Sequence, residues 1–348
     1  MYRFLFLFSI FSFSGLIAQN DTIKIAEEDN QAAERCYNKG ISLINEKKFL
    51  LAVDTFTKVI SLKPEMEKAY FNRGLAYAET GKINEAVSDF TRSTELNPSA
   101  DYSFFERGKA YYSMKDYEKA MADFVKTVEL NPKNALAWYE KGVINFSARK
   151  YEEAIADYSK AIENSPDYAF AYNDRAGCNI ELNKNDDAIK DYIKATQLSS
   201  NSAFFHNNLG SAYRKKKENK KAIEEYNKAI EIKRDYYIAY NNRGSAKLES
   251  GDVDGALSDF SKSIDLKSDY AYAYNNRSSC YYKKKEFDAG IRDCNKAISI
   301  NSSYGEAYLN RGICKEMLKD FNGACEDFKK AVEFGISVAK NYNDVCEN

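Results

Sequence analysis

The feature that most constrains this chain is a figure that returns every 34 residues. An aromatic residue stands four places before a Gly at Tyr240 and Gly244, a Gly-Asp turn follows at Gly251 and Asp252, and Ala256 then precedes Phe260 by four places. Thirty-four residues on, the figure reads Tyr274, Ser278, Gly290 and Cys294; thirty-four back it reads His206, Gly210, Ala222 and Tyr226. A ruler laid from Ala33 gives nine repeats, 33–66, 67–100, 101–134, 135–168, 169–202, 203–236, 237–270, 271–304 and 305–338, without an insertion. They cover 9 × 34 = 306 of 348 residues. A period of this size points to stacked units that bury surface only against their neighbours, so chain length does not set a domain count.

Positions are numbered 1 to 34 within each repeat. Place 8 reads Gly40, Gly74, Gly108, Gly142, Ala176, Gly210, Gly244, Ser278 and Gly312, and place 20 reads Ala in every repeat but the eighth, where it is Gly290. Two helices of a hairpin approach closely only where neither carries bulk, so these places are expected to face each other. Places 4, 7, 8 and 11 fall on one face of a first helix and places 2, 5, 6, 9 and 13 on the other. The turn is expected at places 15 to 17, with Gly81, Gly251 and Asn183 supplying left-handed backbone. Place 7 is basic in eight repeats (Lys39, Arg73, Arg107, Lys141, Arg175, Arg243, Arg277, Arg311) and place 23 acidic in eight (Asp89, Asp123, Asp157, Asp191, Glu225, Asp259, Asp293, Asp327). A charge pattern repeated so often reads as structural ion pairing that fixes register, not as a catalytic constellation.

This figure resembles the tetratricopeptide repeat (TPR), a helix, turn, helix unit. The resemblance implies an all-α fold, a TPR solenoid of paired antiparallel helices forming a right-handed superhelix whose first helices line a concave groove. The chain changes character near residue 169. Pro64, Pro98, Pro132 and Pro166 occupy place 32 of the first four repeats, and Ser200, Arg234, Ser268 and Ser302 occupy it in the next four. Place 5 is Tyr37, Phe71, Phe105 and Tyr139, then Asn173, Asn207, Asn241 and Asn275; place 9 goes from Ile41, Leu75, Lys109 and Val143 to Gly177, Ser211, Ser245 and Ser279. Place 6 carries Asn38, Asn72, Asn208, Asn242, Asn276 and Asn310, interrupted by Glu106, Glu140 and Asp174. The place-6 row resembles the asparagine ladder in the TPR superhelix of the O-linked N-acetylglucosamine transferases, which implies amides holding the backbone of an extended peptide. The candidate groove residues are therefore Asn38, Asn72, Asn207, Asn208, Asn241, Asn242, Asn275, Asn276 and Asn310, with Phe204, Ile238 and Tyr272 at place 2 giving side-chain preference. The Lys, Asn and Arg sets with which chaperone adaptors of this family clamp a C-terminal carboxylate do not occur.

Lys and Arg number 51 against 52 acids, a formal charge of −1, so no global field draws the chain to nucleic acid or anionic lipid. The single His, His206, stands at place 4, where other repeats carry aromatics, and reads as core filling, since metal sites gather several ligands. No GxxxxGK[ST], GxSxG, HExxH or CxxC occurs. No catalytic residue, metal ligand, cofactor or small-molecule substrate is expected. Of seven cysteines, six fall at places predicted inside and read as small apolar fillers. In an oxidising compartment Cys314 with Cys325, or Cys280 with Cys294, would meet across one hairpin.

Residues 1–18 combine Arg3, an apolar run from Phe4 to Ile17 and a small residue before Gln19-Asn20-Asp21, the layout of a secretory signal peptide. Residues 19–32 are polar and are expected to be a flexible linker. Residues 339–348 are expected to form a capping helix, with Val338, Tyr342 and Val345 as its apolar stripe. The resulting expectation is a secreted or periplasmic, non-enzymatic scaffold that binds an extended segment of a protein or peptide partner, and is membrane-anchored only if the leader is kept. The alternative is an assembly component that uses its outer surface for self-association or an envelope complex.

Overall fold

The computed structural model describes the backbone of residues 13–346 and the side chains of residues 27–342 and of Cys346. The expected leader, residues 1–18, therefore lies outside the described residues apart from a few backbone positions. Among the described residues the chain is helical, and none of its helices is long and apolar enough to cross a membrane. It divides into two compact units, residues 1–166 and 167–348. The division falls where place 5 changes from aromatic to Asn.

Unit 1 contains α1 (Phe13–Asn45), α2 (Phe49–Leu62), α3 (Glu67–Glu79), α4 (Ile83–Leu96), α5 (Asp101–Ser113), α6 (Tyr117–Leu130), α7 (Ala135–Ser147) and α8 (Tyr151–Asn164). Unit 2 contains α9 (Ala169–Glu181), α10 (Asn185–Leu198), α11 (Ala203–Lys215), α12 (Asn219–Ile232), α13 (Tyr237–Glu249), α14 (Val253–Leu266), α15 (Ala271–Lys283), α16 (Phe287–Ile300), α17 (Gly305–Met317), α18 (Phe321–Glu333) and a final 3₁₀ helix (Ser337–Cys346). Each odd-numbered helix packs on the even-numbered one that follows it. Within a unit, first helices of successive hairpins also touch, as α3 with α5 and α13 with α15, so the first helices line the inner side of the stack.

A left-handed residue at place 15 closes every hairpin. Gly81 and Gly251 take it as expected, but so do Asn183, Arg149 and the lysines at 47, 115, 217, 285 and 319, with φ of 57° to 67° for the residues that are not Gly. Lys82 N–H bonds back to Tyr77 O and Asp116 N–H to Tyr111 O, so the reversed residue lets the next amide satisfy a carbonyl left open by the helix end. The first helix stops at place 13 and the second starts at place 17, so the turn is one residue earlier than expected.

The small residue at place 8 makes room for more than place 20. A Cβ built on Gly244 would lie 2.8 Å from Cε1 of Phe260, and one on Gly74 would lie 2.7 Å from the ring of Phe90, both rings being at place 24. In the eighth repeat place 8 is Ser278, and place 24 is accordingly Cys294 instead of a ring; volume is conserved across the hairpin. The recurring charges meet within one hairpin as expected. Arg73–Asp89, Arg107–Asp123, Lys141–Asp157, Arg175–Asp191, Arg243–Asp259, Arg277–Asp293 and Arg311–Asp327 pair at 2.5 to 3.0 Å. The sixth repeat has Leu209 at place 7, and there His206 takes over the acid, its Nδ1 lying 2.6 Å from Oε2 of Glu225. His206 is thus a buried structural residue with a polar partner, where apolar filling alone was expected.

Three expectations at the chain ends are corrected. Residues 19–32 lie inside α1, which runs unbroken because no Pro or Gly interrupts it between Gly15 and Gly40, and extending a helix costs little once a turn exists. The tail is a 3₁₀ helix, whose three-residue turn puts Ala339 and Tyr342 on one face. Ala339 is buried and Tyr342 stacks on Phe328 at 4.5 Å, whereas Val338 is exposed and the Val345 side chain lies outside the described residues. Cys325 is disulfide-bonded to Cys346, 21 residues on, not to Cys314, and Cys280 and Cys294 are free and buried. The apolar walls around these thiols push Cys280 and Cys294 up to about 12, which keeps them protonated and inert.

Candidate functional site: an amide-lined face in unit 2

The inner face of unit 2 is built from places 2, 5, 6 and 9 of α9, α11, α13, α15 and α17. Asn173, Asn207, Asn241 and Asn275 at place 5 are buried, with 3 to 6 % of their surface exposed. A buried amide must find partners, and here each is met by the place-6 amide of the following repeat. Asn208 Nδ2 donates to Asn173 Oδ1, Asn242 to Asn207 and Asn276 to Asn241, all at 3.0 Å, and Asn310 donates to Asn275 at 2.9 Å. Within a repeat the pattern continues. Asn207 Nδ2 reaches Asn208 Oδ1 at 3.5 Å, Asn241 Nδ2 reaches Asn242 Oδ1 at 3.4 Å, and Asn173 Nδ2 donates to Asp174 Oδ1 at 2.8 Å. Asn173, the pairs Asn207–Asn208, Asn241–Asn242 and Asn275–Asn276, and Asn310 form a bonded ladder that runs from hairpin to hairpin.

The sequence-derived candidates therefore separate into two kinds. Asn207, Asn241 and Asn275, expected on the open face, are on the buried side and serve as acceptors for their neighbours. Asn208, Asn242, Asn276 and Asn310 are half-exposed, and each spends one N–H on the ladder. Asn173 belongs to the same ladder and was not among the candidates; its signal was present, since it is the first Asn in the place-5 series. Ser211 and Ser245 donate their hydroxyls to the carbonyls of Asn207 and Asn241, four residues back, and so do not project as free groups. Phe204 and Tyr272 at place 2 stand out with 47 and 53 % of their surface exposed, and Ile238 is half-buried.

The two candidates in unit 1 do not join a ladder. Asn72 donates to the Tyr37 hydroxyl at 3.0 Å and to Lys68 O at 2.7 Å, and Asn38 is exposed on α1. Further along, the half-buried carboxyl of Glu140 occupies place 6; burial pushes it above the usual carboxylate range, against the pull of Lys109.

With this geometry the chain can be set beside known proteins. Models described as tetratricopeptide repeat match residues 30–66, 67–100, 105–169 and 241–306, and a TPR repeat model matches 180–217 and 210–251. The chain belongs to the tetratricopeptide-repeat family. Among solved structures, the Cut9–Hcn1 hetero-tetramer of APC/C is 15% identical with a TM-score of 0.57, over 89% of this chain and 75% of that one. YrrB, described as a TPR protein with an unusual peptide-binding site, is 24% identical with a TM-score of 0.44, over 53% of this chain and 95% of its own. MamA is 24% identical with a TM-score of 0.43, over 46% and 94%. No curated protein sequence is a significant match.

Proposed function

We propose that the chain is a non-enzymatic protein-interaction scaffold whose second unit holds an extended peptide segment along the first-helix face. The observation that carries this reading is the row of Asn208, Asn242, Asn276 and Asn310. Each is oriented by an inter-repeat bond of 2.9 to 3.0 Å; Asn208, Asn242 and Asn276 still have a second N–H and an Oδ1 lone pair to offer, while Asn310 turns its second N–H toward Ser279 Oγ at 3.5 Å. Main-chain amides and carbonyls are obligatory hydrogen-bonding groups, so a periodic row of oriented amides suits a peptide backbone of many sequences. Phe204, Ile238 and Tyr272 flank the row and supply apolar preference.

The test is capture of peptides selected from a random library displayed against the full chain. Changing Asn208, Asn242 and Asn276 together to Ala is expected to weaken capture about a hundredfold, each lost bond costing about 1 kcal/mol. The same variant leaves three buried place-5 acceptors without donors, so affinity is measured well below its melting temperature. Undiminished capture by the triple variant would overturn the reading. We also propose a secreted or periplasmic location. The apolar leader and the Cys325–Cys346 bond support it, disulfides persisting in oxidising compartments. The mature chain would then begin at Gln19 or Asn20, which the intact mass shows directly.

A further inference from the structure

In the sixth hairpin one side chain takes two roles that are separate elsewhere. Place 4 can donate to the carbonyl at place 32 of the preceding repeat, as Trp138 Nε1 does to Pro132 O at 2.9 Å and the hydroxyls of Tyr274 and Tyr308 do to Ser268 O and Ser302 O at 3.3 and 3.2 Å. In those same hairpins the acid at place 23 is held by a separate base at place 7. The sixth repeat has Leu209 at place 7, and His206 at place 4 reaches both partners. Its Nε2 lies 3.2 Å from Ser200 O and its Nδ1 2.6 Å from Glu225 Oε2. Both partners are acceptors. A carbonyl oxygen has no proton to give, and Glu225, which burial alone would raise, is brought below the ordinary carboxylate range by its bonds to His206 and Lys228 and so stays ionised. Two acceptors require two N–H groups, which only the doubly protonated ring carries. A neutral ring with its proton on Nε2 turns a lone pair toward the carboxylate, and one with its proton on Nδ1 gives up Ser200.

His206 is buried, on a helix that packs against α10, α12 and α13. From α12 come Glu225 and Lys228, whose Nζ bonds the other carboxylate oxygen, Oε1, at 2.7 Å. From α10 comes Ile193, packed in one apolar cluster with Leu209, while Asp191 of that helix is bonded to Arg175 of α9. The place-7 base of α13, Arg243, is bonded to Asp259 and to Asn227. The ring also adjoins the ladder. The next two residues of α11 are Asn207, whose Oδ1 accepts from Asn242, and Asn208, which donates to Asn173. The Arg and Lys of the other hairpins keep their charge throughout the neutral range, whereas an imidazole gives up its second proton between about pH 5 and 8.

We infer that His206 is a proton-operated joint of the amide ladder: doubly protonated, it ties α11 both to the loop after α10 and to α12, and loss of one proton frees one tie and loosens the rungs that start from α11. Because the doubly protonated form makes both bonds, the joint is complete in mild acid and is lost as pH rises through the titration of the ring. The joint is independent of peptide binding, since it concerns only how α11 is held. The full chain has a single His, so its imidazole gives one set of signals. Nitrogen NMR of the ring at about pH 6 is expected to show protons on both nitrogens. Hydrogen exchange of α11 and α12, corrected for the intrinsic rate at each pH, is expected to become about tenfold faster between about pH 6 and about pH 8.5, the size of one charge-assisted bond, while α15 and α17 stay unchanged. Glu225→Gln presents either a carbonyl or an N–H to the ring and so suits both of its forms. His206→Tyr with Leu209→Arg restores the arrangement of Tyr240 with Arg243 in the next repeat. Both variants are expected to lose the pH response, and the first, being isosteric, keeps the test decisive if the second does not fold. An Nδ1 without a proton at about pH 6, no loosening in the parent, equal loosening in α15 and α17, or the same loosening in Glu225→Gln would overturn the joint.

Discussion

The same backbone position does opposite work in the two units. In unit 1 the place-5 rings of Tyr37, Phe71, Phe105 and Tyr139 lie 5.5 to 5.9 Å from the place-24 rings of their own hairpins, Phe56, Phe90, Phe124 and Tyr158. In unit 2 place 5 is Asn, and its bonds run to the next hairpin at 2.9 to 3.0 Å. Rings add apolar burial within a repeat and leave register to shape. Amides add little burial but are directional, so they specify which repeat sits where and keep polar groups on the inner face. On the proposed reading, an inner face of rings would select partners by their side chains, whereas one of oriented amides would suit an extended backbone.

Substitutions that cross this difference should show it in graded order. Phe71→Ala, which removes contacts to Phe90 and to Tyr102 at 4.7 Å, is expected to cost about 3 kcal/mol by urea unfolding. A cost under about 1 kcal/mol would mean that the ring only lines the face. Asn241→Leu removes the acceptor of Asn276 and a donor to Asn242, and is expected to cost about 1 to 2 kcal/mol, with faster amide exchange in α13 and α15. No loss there would make the ladder a by-product of composition.

Two carboxyls give the units opposite pH responses. Glu140 in unit 1 is held above the ordinary range by burial, so its protonated form is favoured in the fold, and the benefit is lost as pH rises through its folded value. Glu140→Gln is therefore expected to melt higher than the parent at pH 7 and level with it near the ordinary carboxylate value. Glu225 in unit 2 is buried, yet its bonds to His206 and Lys228 bring it below the ordinary range. Its contribution is present above the unfolded value and lost as pH falls through the folded one. His206→Phe should accordingly melt below the parent at pH 7, with the gap closing in acid. Gaps of the same sign in both variants would contradict the assignment.

The smallest effect concerns what the units share. Lys115 in unit 1 and Lys285 in unit 2 sit at φ of 63° and 62°, a conformation that costs a side-chain-bearing residue about 1 kcal/mol. Replacing either with Gly is expected to raise stability by about 0.5 kcal/mol after the entropy cost of Gly, and equally in both units. A rise in only one would show that the turns are not equivalent.

Much of this was legible in advance because it depends on volume and period. The small residues at places 8 and 20, the basic and acidic places 7 and 23, and the change near residue 169 are local facts that a ruler exposes. The candidate face was legible as a face, since period decides which side of a helix a residue occupies. Within it, nothing in the letters separates Asn207 from Asn208, adjacent and identical in type. One is buried as an acceptor and the other half-exposed as a donor, because the following repeat arrives over one of them.

By itself, then, the sequence determined the hairpin, its 34-residue repetition and the kind of residue presented at each place, all consequences of helical period and side-chain size. Tertiary structure decided what needs a second surface. It turned two rows of Asn into one bonded ladder between residues 35 apart and gave Glu225 to His206 where Leu209 left no cation. It joined Cys325 to Cys346 and forced lysines into a left-handed turn that their own chemistry disfavours. Each of these is settled by how closely two helices approach, a distance set by packing of the whole hairpin, to which no single residue type commits the chain.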